Sequence, residues 1–492
     1  MIASLKKNTD WLAILSTVVF FILVLISPSV KIYFLVSLLW FLFLSFFYSF
    51  PKALVYTVPL LMSFNAGQEY SFQVIGPNDL KSVQYWNGKH LFFILSPHMF
   101  ICLVGLMLLP FFYKQSKFKL FFHETVFIFM FLSFLFSSLW FSQIPFLSLL
   151  FYFKESVVVV WLIYIFLFSK KNKSEKEKIV FTFIILLTIN LLFESGLVTI
   201  QLLRNSTIGL VIEKTQLIPV FGLGADEGGG FRPFGWYPHA NSLANNQLIF
   251  TFAILFLSTY LKNNFFNKLK KFLLPAVIFM GLFSSFVALS RSAILAIFLA
   301  VLIFVIVGFK KDEFYSFLSL SNRNIKKLSP IFKLLILLVG SFLILKMVGR
   351  MVNSSFIFSP SGGLYTRTEQ FSEALEVVKN VPFFGVGVGM FIPASFSYFP
   401  LGQMRYFPED VHNGFLLFLV ERGFVGLLLL VLFLFLLFKE LVNLFKNKKT
   451  RAVIYSGLMA GFIIMLFHPF INIFSFSVLF LLVIIHYEKE TI

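Results

Sequence analysis

Apolar runs close to twenty residues long recur along the whole sequence. They fall at roughly 11–27, 31–50, 52–65, 91–113, 123–141, 152–169, 179–202, 241–260, 272–289, 292–309, 332–349, 413–438, 452–468 and 470–486. A hydrocarbon core about 30 Å thick takes about 20 helical residues to cross, at about 1.5 Å each. The sequence therefore predicts an all-α integral membrane protein with about 12–14 transmembrane helices. The third run is short and interrupted by Pro59, and the last two form a tight pair around His468-Pro469. Composition agrees: 59% of the residues are hydrophobic and 13% charged, against about half and about a quarter in soluble domains. No polar stretch is long enough to fold as a separate soluble domain.

Lysine and arginine outnumber acidic residues 41 to 22, a net charge of +19. The surplus sits in short segments between the apolar runs, the pattern of loops held at the cytoplasmic face rather than of a nucleic-acid surface. With the N-terminus inside, the inner segments are 114–119, 170–178, 262–271, 310–327 and 439–451, all rich in basic residues. The outer ones are then 66–90, 142–151, 203–240, the turn at Ser290-Arg291, and 350–412. Membrane lipid is thus an expected partner and nucleic acid is not. The lone Cys102 lies within an apolar run, which excludes a disulfide framework and a cysteine metal site. Residues 11–26 read as a retained first helix, since no small-residue cleavage pattern follows them.

Polar, glycine-rich sequence is concentrated in two outer segments, ending in GLGADEGGGFRPFGWYPHA (to residue 240) and FPEDVH (to residue 412). Loops carried on a rigid scaffold are the usual seat of function. Arg291, in ALSRSAIL, either anchors the turn between two helices or offers a fixed donor fork to phosphate oxygens. Arg232 is either a loop cation balancing Asp226 and Glu227 or a second anion ligand. His239, beside Trp236-Tyr237 and just before Asn241, reads as a helix cap. Arg367 heads a helical stretch, 366–380, with Phe371, Leu375 and Val378 on one face, an amphipathic helix at the outer surface. It either pairs with Glu369 or Glu373 or binds an anion. Gly385, Gly387 and Gly389, after Pro382, read as a tight, close-packed turn and not as a dinucleotide site. His412 caps a long span or acts as a base, its ordinary pKa of about 6.5 suiting proton transfer at neutral pH. Glu421, about two and a half turns deeper, needs a partner at that depth, and with Arg422 it reads as a packing element.

Taken together, these strings resemble the O-antigen ligase and polymerase family of bacterial membrane glycosyltransferases. They are Arg232-Pro-Phe-Gly235 followed by Pro238-His-Ala-Asn241, Ser290-Arg291-Ser292, the helix from Arg367 through Pro382 to Gly389, and His412-Asn413 followed by Glu421-Arg-Gly423. The resemblance covers about 205–440; the N-terminal third matches only in being hydrophobic, and Phe371 stands where the family often has tryptophan. It implies N-terminal transmembrane helices over 1–202, a catalytic region over 203–440 with outer loops 203–240 and 350–412, and C-terminal helices over 441–492. It also implies a fold like that of the C-type glycosyltransferases, a polyprenyl-pyrophosphate-linked glycan as donor and a glycan or lipid as acceptor. The site would lie on the outer, periplasmic face of the cytoplasmic membrane and use no cofactor. On that reading Arg232, Arg291 and Arg367 hold the pyrophosphate without a metal, stabilising the charge that grows on it. His412 accepts the acceptor's proton, a role typically worth about 10²–10⁴-fold, and Asn241, Asn413 and Glu421 support the site. Polymerase and ligase both fit.

Three rivals exist. A metal-dependent enzyme needs clustered oxygen ligands; the outer loops offer Asp226-Glu227 and Glu409-Asp410 but no D-x-D string. A transporter or lipid-linked glycan flippase expects polar or broken helices at mid-membrane depth, where the spans read as nearly all apolar. A peptidoglycan polymerase of the shape and division type shares the donor, but the H-N and S-R-S strings favour the ligase and polymerase family.

Overall fold

The computed structural model describes residues 9–63, 68–73, 90–113, 122–169, 173–210, 213, 231–237, 240–261, 264–288, 290–308, 363–381, 383–399, 410–445 and 447–467. The expected spans at 332–349 and 470–486 lie outside these residues, as do His239 and the stretch 214–230. The described helices are α1 Trp11–Ile26, α2 Val30–Phe47, α3 Phe50–Ser63, α4 Pro97–Tyr113, α5 Phe122–Trp140, α6 Pro145–Ser169 and α7 Lys173–Arg204. They continue with α8 Ala240–Tyr260, α9 Asn264–Val287, α10 Arg291–Gly308, α11 Gly363–Asn380, α12 Phe391–Tyr398, α13 Gly414–Leu444 and α14 Lys448–Phe467. Nine helices among the described residues are long and apolar enough to cross a membrane, and α1, α3 and α4 are shorter apolar helices. The chain is an all-α integral membrane protein. One feature is added to that plan: β1 Gln68–Gln73 pairs antiparallel with β2 His90–Leu95, Gln68 opposite Leu95 and Gln73 opposite His90. The run expected to begin a helix at 91 is thus a strand through Leu95, and the helix starts at Pro97, whose fixed φ and missing N–H suit a first helical position.

Inside lipid every backbone polar group needs a partner from the protein, and α3 meets this demand in an instructive way. Pro59 has no N–H to give to the carbonyl four residues back. That carbonyl, Val55 O, accepts instead from the indole Nε1 of Trp161 at 3.1 Å. Residues 51–61 are all buried, packed against α2, α4 and α6, so the short interrupted run is an inner helix of the bundle. Leu35, Leu39, Leu42 and Phe46 of α2, by contrast, are more than half exposed, as a lipid-facing stripe must be.

The chain divides into two compact units. The first comprises 1–186, 360–444 and 464–492, and the second 187–359 and 445–463. In the first, Asp10 accepts from Lys52 at 2.6 Å, Lys178 at 2.8 Å and the Tyr56 hydroxyl at 2.6 Å, and Lys52 also reaches Glu175 at 2.6 Å. Burial by itself raises the Asp10 pKa, but these three donors outweigh it and hold the carboxyl below its usual range. The second unit has its core where Val198, Phe234, Tyr237, Leu243, Ala244 and Val287 pack together.

Candidate active site

In the first unit, the Gly385–Gly389 loop and the Glu421-Arg-Gly423 string form a single construction. Helix α13 is broken at Gly423, which has φ 67° and ψ −173°. The break frees carbonyls that an unbroken helix would satisfy, and the loop meets them. Val386 N–H donates to Val420 O at 3.0 Å and Gly387 N–H to Glu421 O at 2.9 Å, while Val425 N–H donates to Phe383 O at 3.0 Å. Backbone meets backbone so closely that a Cβ on Gly385 would collide with the Glu421–Arg422 peptide, and one on Gly423 with Phe383 O. Gly385 also has a φ of 72°, which side chains rarely adopt. The expected tight turn is thus present, and its function is to splice a broken span.

Glu421 finds the partner its depth required. Arg422 donates from Nη1 to Glu421 Oε2 at 3.0 Å and from Nη2 to Glu155 of α6. Its guanidinium also lies over the rings of Phe418 and Phe134, 4.7 and 5.0 Å from their centroids. The pair reads as a buried packing element, as expected.

Helix α11 matches the span expected for an amphipathic helix, but both of its faces mix polar and apolar residues. Phe371 and Leu375 are exposed, whereas Gln370, Glu373, Ala374 and Val377 are buried against α12 and α13. The polar members of the inner face find partners there: Ser395 Oγ donates to Glu373 Oε2 at 2.8 Å, and Gln370 meets His412 through Oε1, its buried Nε2 having no partner among the described residues.

A cavity of about 240 Å³ opens between α11 and the start of α13. Arg367, Thr368, Phe371, Val411, His412, Asn413 and Leu466 line it. Asn413 caps α13, its Oδ1 accepting Leu416 N–H at 2.9 Å, and this holds His412 at the mouth of the helix. The Gln370 carbonyl oxygen lies 3.2 Å from His412 Nδ1. With that oxygen as acceptor, the tautomer that fits carries its proton on Nδ1 and leaves the lone pair on Nε2. Burial, and then the Arg367 charge, push the His412 pKa down to about 4, so the imidazole is neutral at physiological pH. Sequence and structure therefore agree in grouping Arg367, His412 and Asn413.

The second unit holds the other sequence-expected residues. Arg232 is buried, and its guanidinium is engaged: Nε and Nη2 donate to Ala288 O at 3.0 and 2.8 Å, and Nη2 to Asn241 Oδ1 at 3.0 Å. Ala288 N–H closes the last turn of α9 on Ser284 O at 3.1 Å, and Arg232 takes up the Ala288 carbonyl just past it, fixing the end of that helix before Ser290-Arg291-Ser292. Arg291 is the first residue of α10 and is exposed. Among the described residues it takes part in no hydrogen bond or ion pair. Exposed at a helix N-terminus, it adds its charge to the amide donors and dipole that already favour an anion there.

Motif reading missed residues inside two apolar runs and one on the amphipathic helix α11. Glu194 and Gln201 on α7 and Gln370 on α11 are fully buried and hydrogen-bonded to the motif segments. Asn245 and Gln247 on α8 are fully buried too, and their amides find no partner among the described residues. The signal was present, because a carboxylate or amide within a membrane span is costly unless it has work to do. The spans are therefore less uniformly apolar than the sequence suggests. Among the described residues, no three His, Cys, Asp or Glu side chains gather as ligands for a metal ion.

The helices, the spliced span and the polar cleft define a polytopic membrane protein with a site at one end of a helix. Residues 276–431, about a third of the chain, match the family model described as O-antigen ligase, which supports membership of the O-antigen ligase and polymerase family and a membrane glycosyltransferase-like function. The match takes in Arg291, Arg367, His412, Asn413 and Glu421; Arg232 and Asn241 precede it. No curated protein matches the chain.

Proposed function

We propose that the protein transfers or polymerises glycan from a polyprenyl-pyrophosphate donor onto an acceptor hydroxyl, at the outer face of the cytoplasmic membrane. The observation that carries this reading is the cleft at the start of α13, where a neutral His412 is tethered through Nδ1 and an arginine lines the same wall. Nε2 is then the acceptor for the proton of the attacking hydroxyl. The oxygen attacks the anomeric carbon as the bond to the pyrophosphate breaks, and the sugar inverts. Arg367 serves the departing charge. By resemblance Arg291 serves the same pyrophosphate, and Arg232, whose donors already hold Ala288 O and Asn241, serves it by fixing the turn that presents Arg291. Asn413 supports by capping. Glu421 supports by anchoring the spliced helix. The reaction needs no cofactor or metal on this account, because arginines supply the charge.

The experiment is reconstitution of the purified chain in proteoliposomes with a polyprenyl-pyrophosphate oligosaccharide, following released carrier pyrophosphate together with glycan size. Release with lengthening glycans identifies a polymerase, and release only when a second acceptor is added identifies a ligase. The buried, unpartnered Asn245 and Gln247 of α8 favour a second reading, a lipid-linked glycan flippase. No release from folded protein, with movement of labelled donor across the bilayer, would favour that reading.

A further inference from the structure

Helix α7 carries a polar stripe through an apolar span: Glu194 and Gln201 are two turns apart, on one face, and both fully buried. Their partners are the backbone of a single turn and, for Gln201, also the side chain of Glu213, whose Oε1 accepts from Gln201 Nε2 at 3.0 Å. Gln201 Oε1 accepts from the N–H groups of Phe234 and Gly235 at 3.0 and 2.8 Å, and its Nε2 donates to Gly235 O at 3.3 Å. Glu194 Oε2 accepts from Trp236 N–H at 2.9 Å. Gly235 has a φ of 58°, and a Cβ there would collide with the Glu194 carboxylate, so the glycine of the R-x-x-G string is the residue that lets this clasp close. The same turn begins at Arg232, whose guanidinium grips Ala288 O at the end of α9, two residues before Ser290.

We infer that Glu194 and Gln201 are positioning residues: they clasp the 234–236 turn and, through Arg232, set the place of the Ser290-Arg291-Ser292 turn. Glu194 acts as a hydrogen-bond acceptor and not as a charge or a proton carrier. A displaced Arg291 would be costly, since a shift of about 1 Å in a positioned group can lose about 100-fold in rate. This rests on Arg291 serving the donor pyrophosphate.

The test has two readouts on the full chain in detergent. In the donor assay, Glu194→Gln, which keeps an acceptor oxygen and removes the charge, retains activity within about 3-fold. Glu194→Ala and Gln201→Ala each lose about 10–100-fold. Hydrogen exchange, which needs no substrate, is followed in peptides covering 231–237 and 284–294. Protection falls in both for the alanine variants and in neither for Glu194→Gln. Equal losses in Glu194→Gln and Glu194→Ala would overturn the acceptor role. Loss of protection confined to 231–237 would overturn the linkage through Arg232. If the exchange pattern holds while no variant or wild type turns over donor, the clasp stands and the reading of the site falls.

Discussion

On the proposed reading His412 is the residue on which the chemistry turns, and its environment makes a distinctive demand. A histidine base with an ordinary pKa would lose activity below about pH 6.5. Here burial and Arg367 hold it near 4, so the neutral, proton-accepting form persists to lower pH. The kcat/KM profile, which reports the free enzyme, is expected to stay flat from neutral pH down to about 5 and to fall with a midpoint near 4. At saturating donor, the pyrophosphate offsets the Arg367 charge, and the acid limb of kcat moves upward. A kcat/KM limb near 6.5 would place His412 in a more open, uncharged setting. What the sequence pointed to at this scale was Arg367, His412 and Asn413, which line one cavity. It could not disclose Gln370, because hydrogen bonding through a helix face depends on which face turns inward, and the inner face of α11 mixes Gln370 and Glu373 with Ala374 and Val377.

Among the elements, the spliced α13 makes the firmest prediction. Gly385→Ala and Gly423→Ala each place a methyl group into opposing backbone at a φ that side chains rarely adopt, a strain of about 1–3 kcal/mol before the collision is counted. Both variants should melt well below wild type in detergent, whereas alanine at the neighbouring exposed Phe424 should leave Tm close to wild type. Among the described residues the apolar helices were legible from run length, down to the short α3. Its burial and its rescue by Trp161 were not, because a proline's orphaned carbonyl finds its partner 106 residues away in sequence. The strands β1 and β2 escaped notice for a different reason: LFFIL joins the following helix in one apolar run, and hydrophobicity alone does not separate a buried strand from a helix.

At the scale of the whole molecule, the Asp10 cluster ties the start of the first unit to α3 and α7. Removing one partner of such a buried pair typically costs about 3–5 kcal/mol, so Lys52→Met should lower Tm more than any surface lysine variant. The sign of its pH dependence follows from the depressed carboxyl: the stabilisation is complete above the unfolded value of about 3.9 and is lost as pH falls through the lower folded value. Charge reading predicts the basic segments on one side, and the family match supports a membrane glycosyltransferase-like function. Because the account uses arginines in place of a metal, transfer should persist undiminished in excess chelator; loss restored by a divalent cation would require a different site.

The central claim is that His412 takes the acceptor's proton in a transfer from a lipid pyrophosphate. Its most direct test is carrier pyrophosphate release by His412→Ala in proteoliposomes near neutral pH, beside wild type of equal Tm. The account predicts a fall of about 10²–10⁴-fold. Release at the wild-type rate from the folded variant would contradict it.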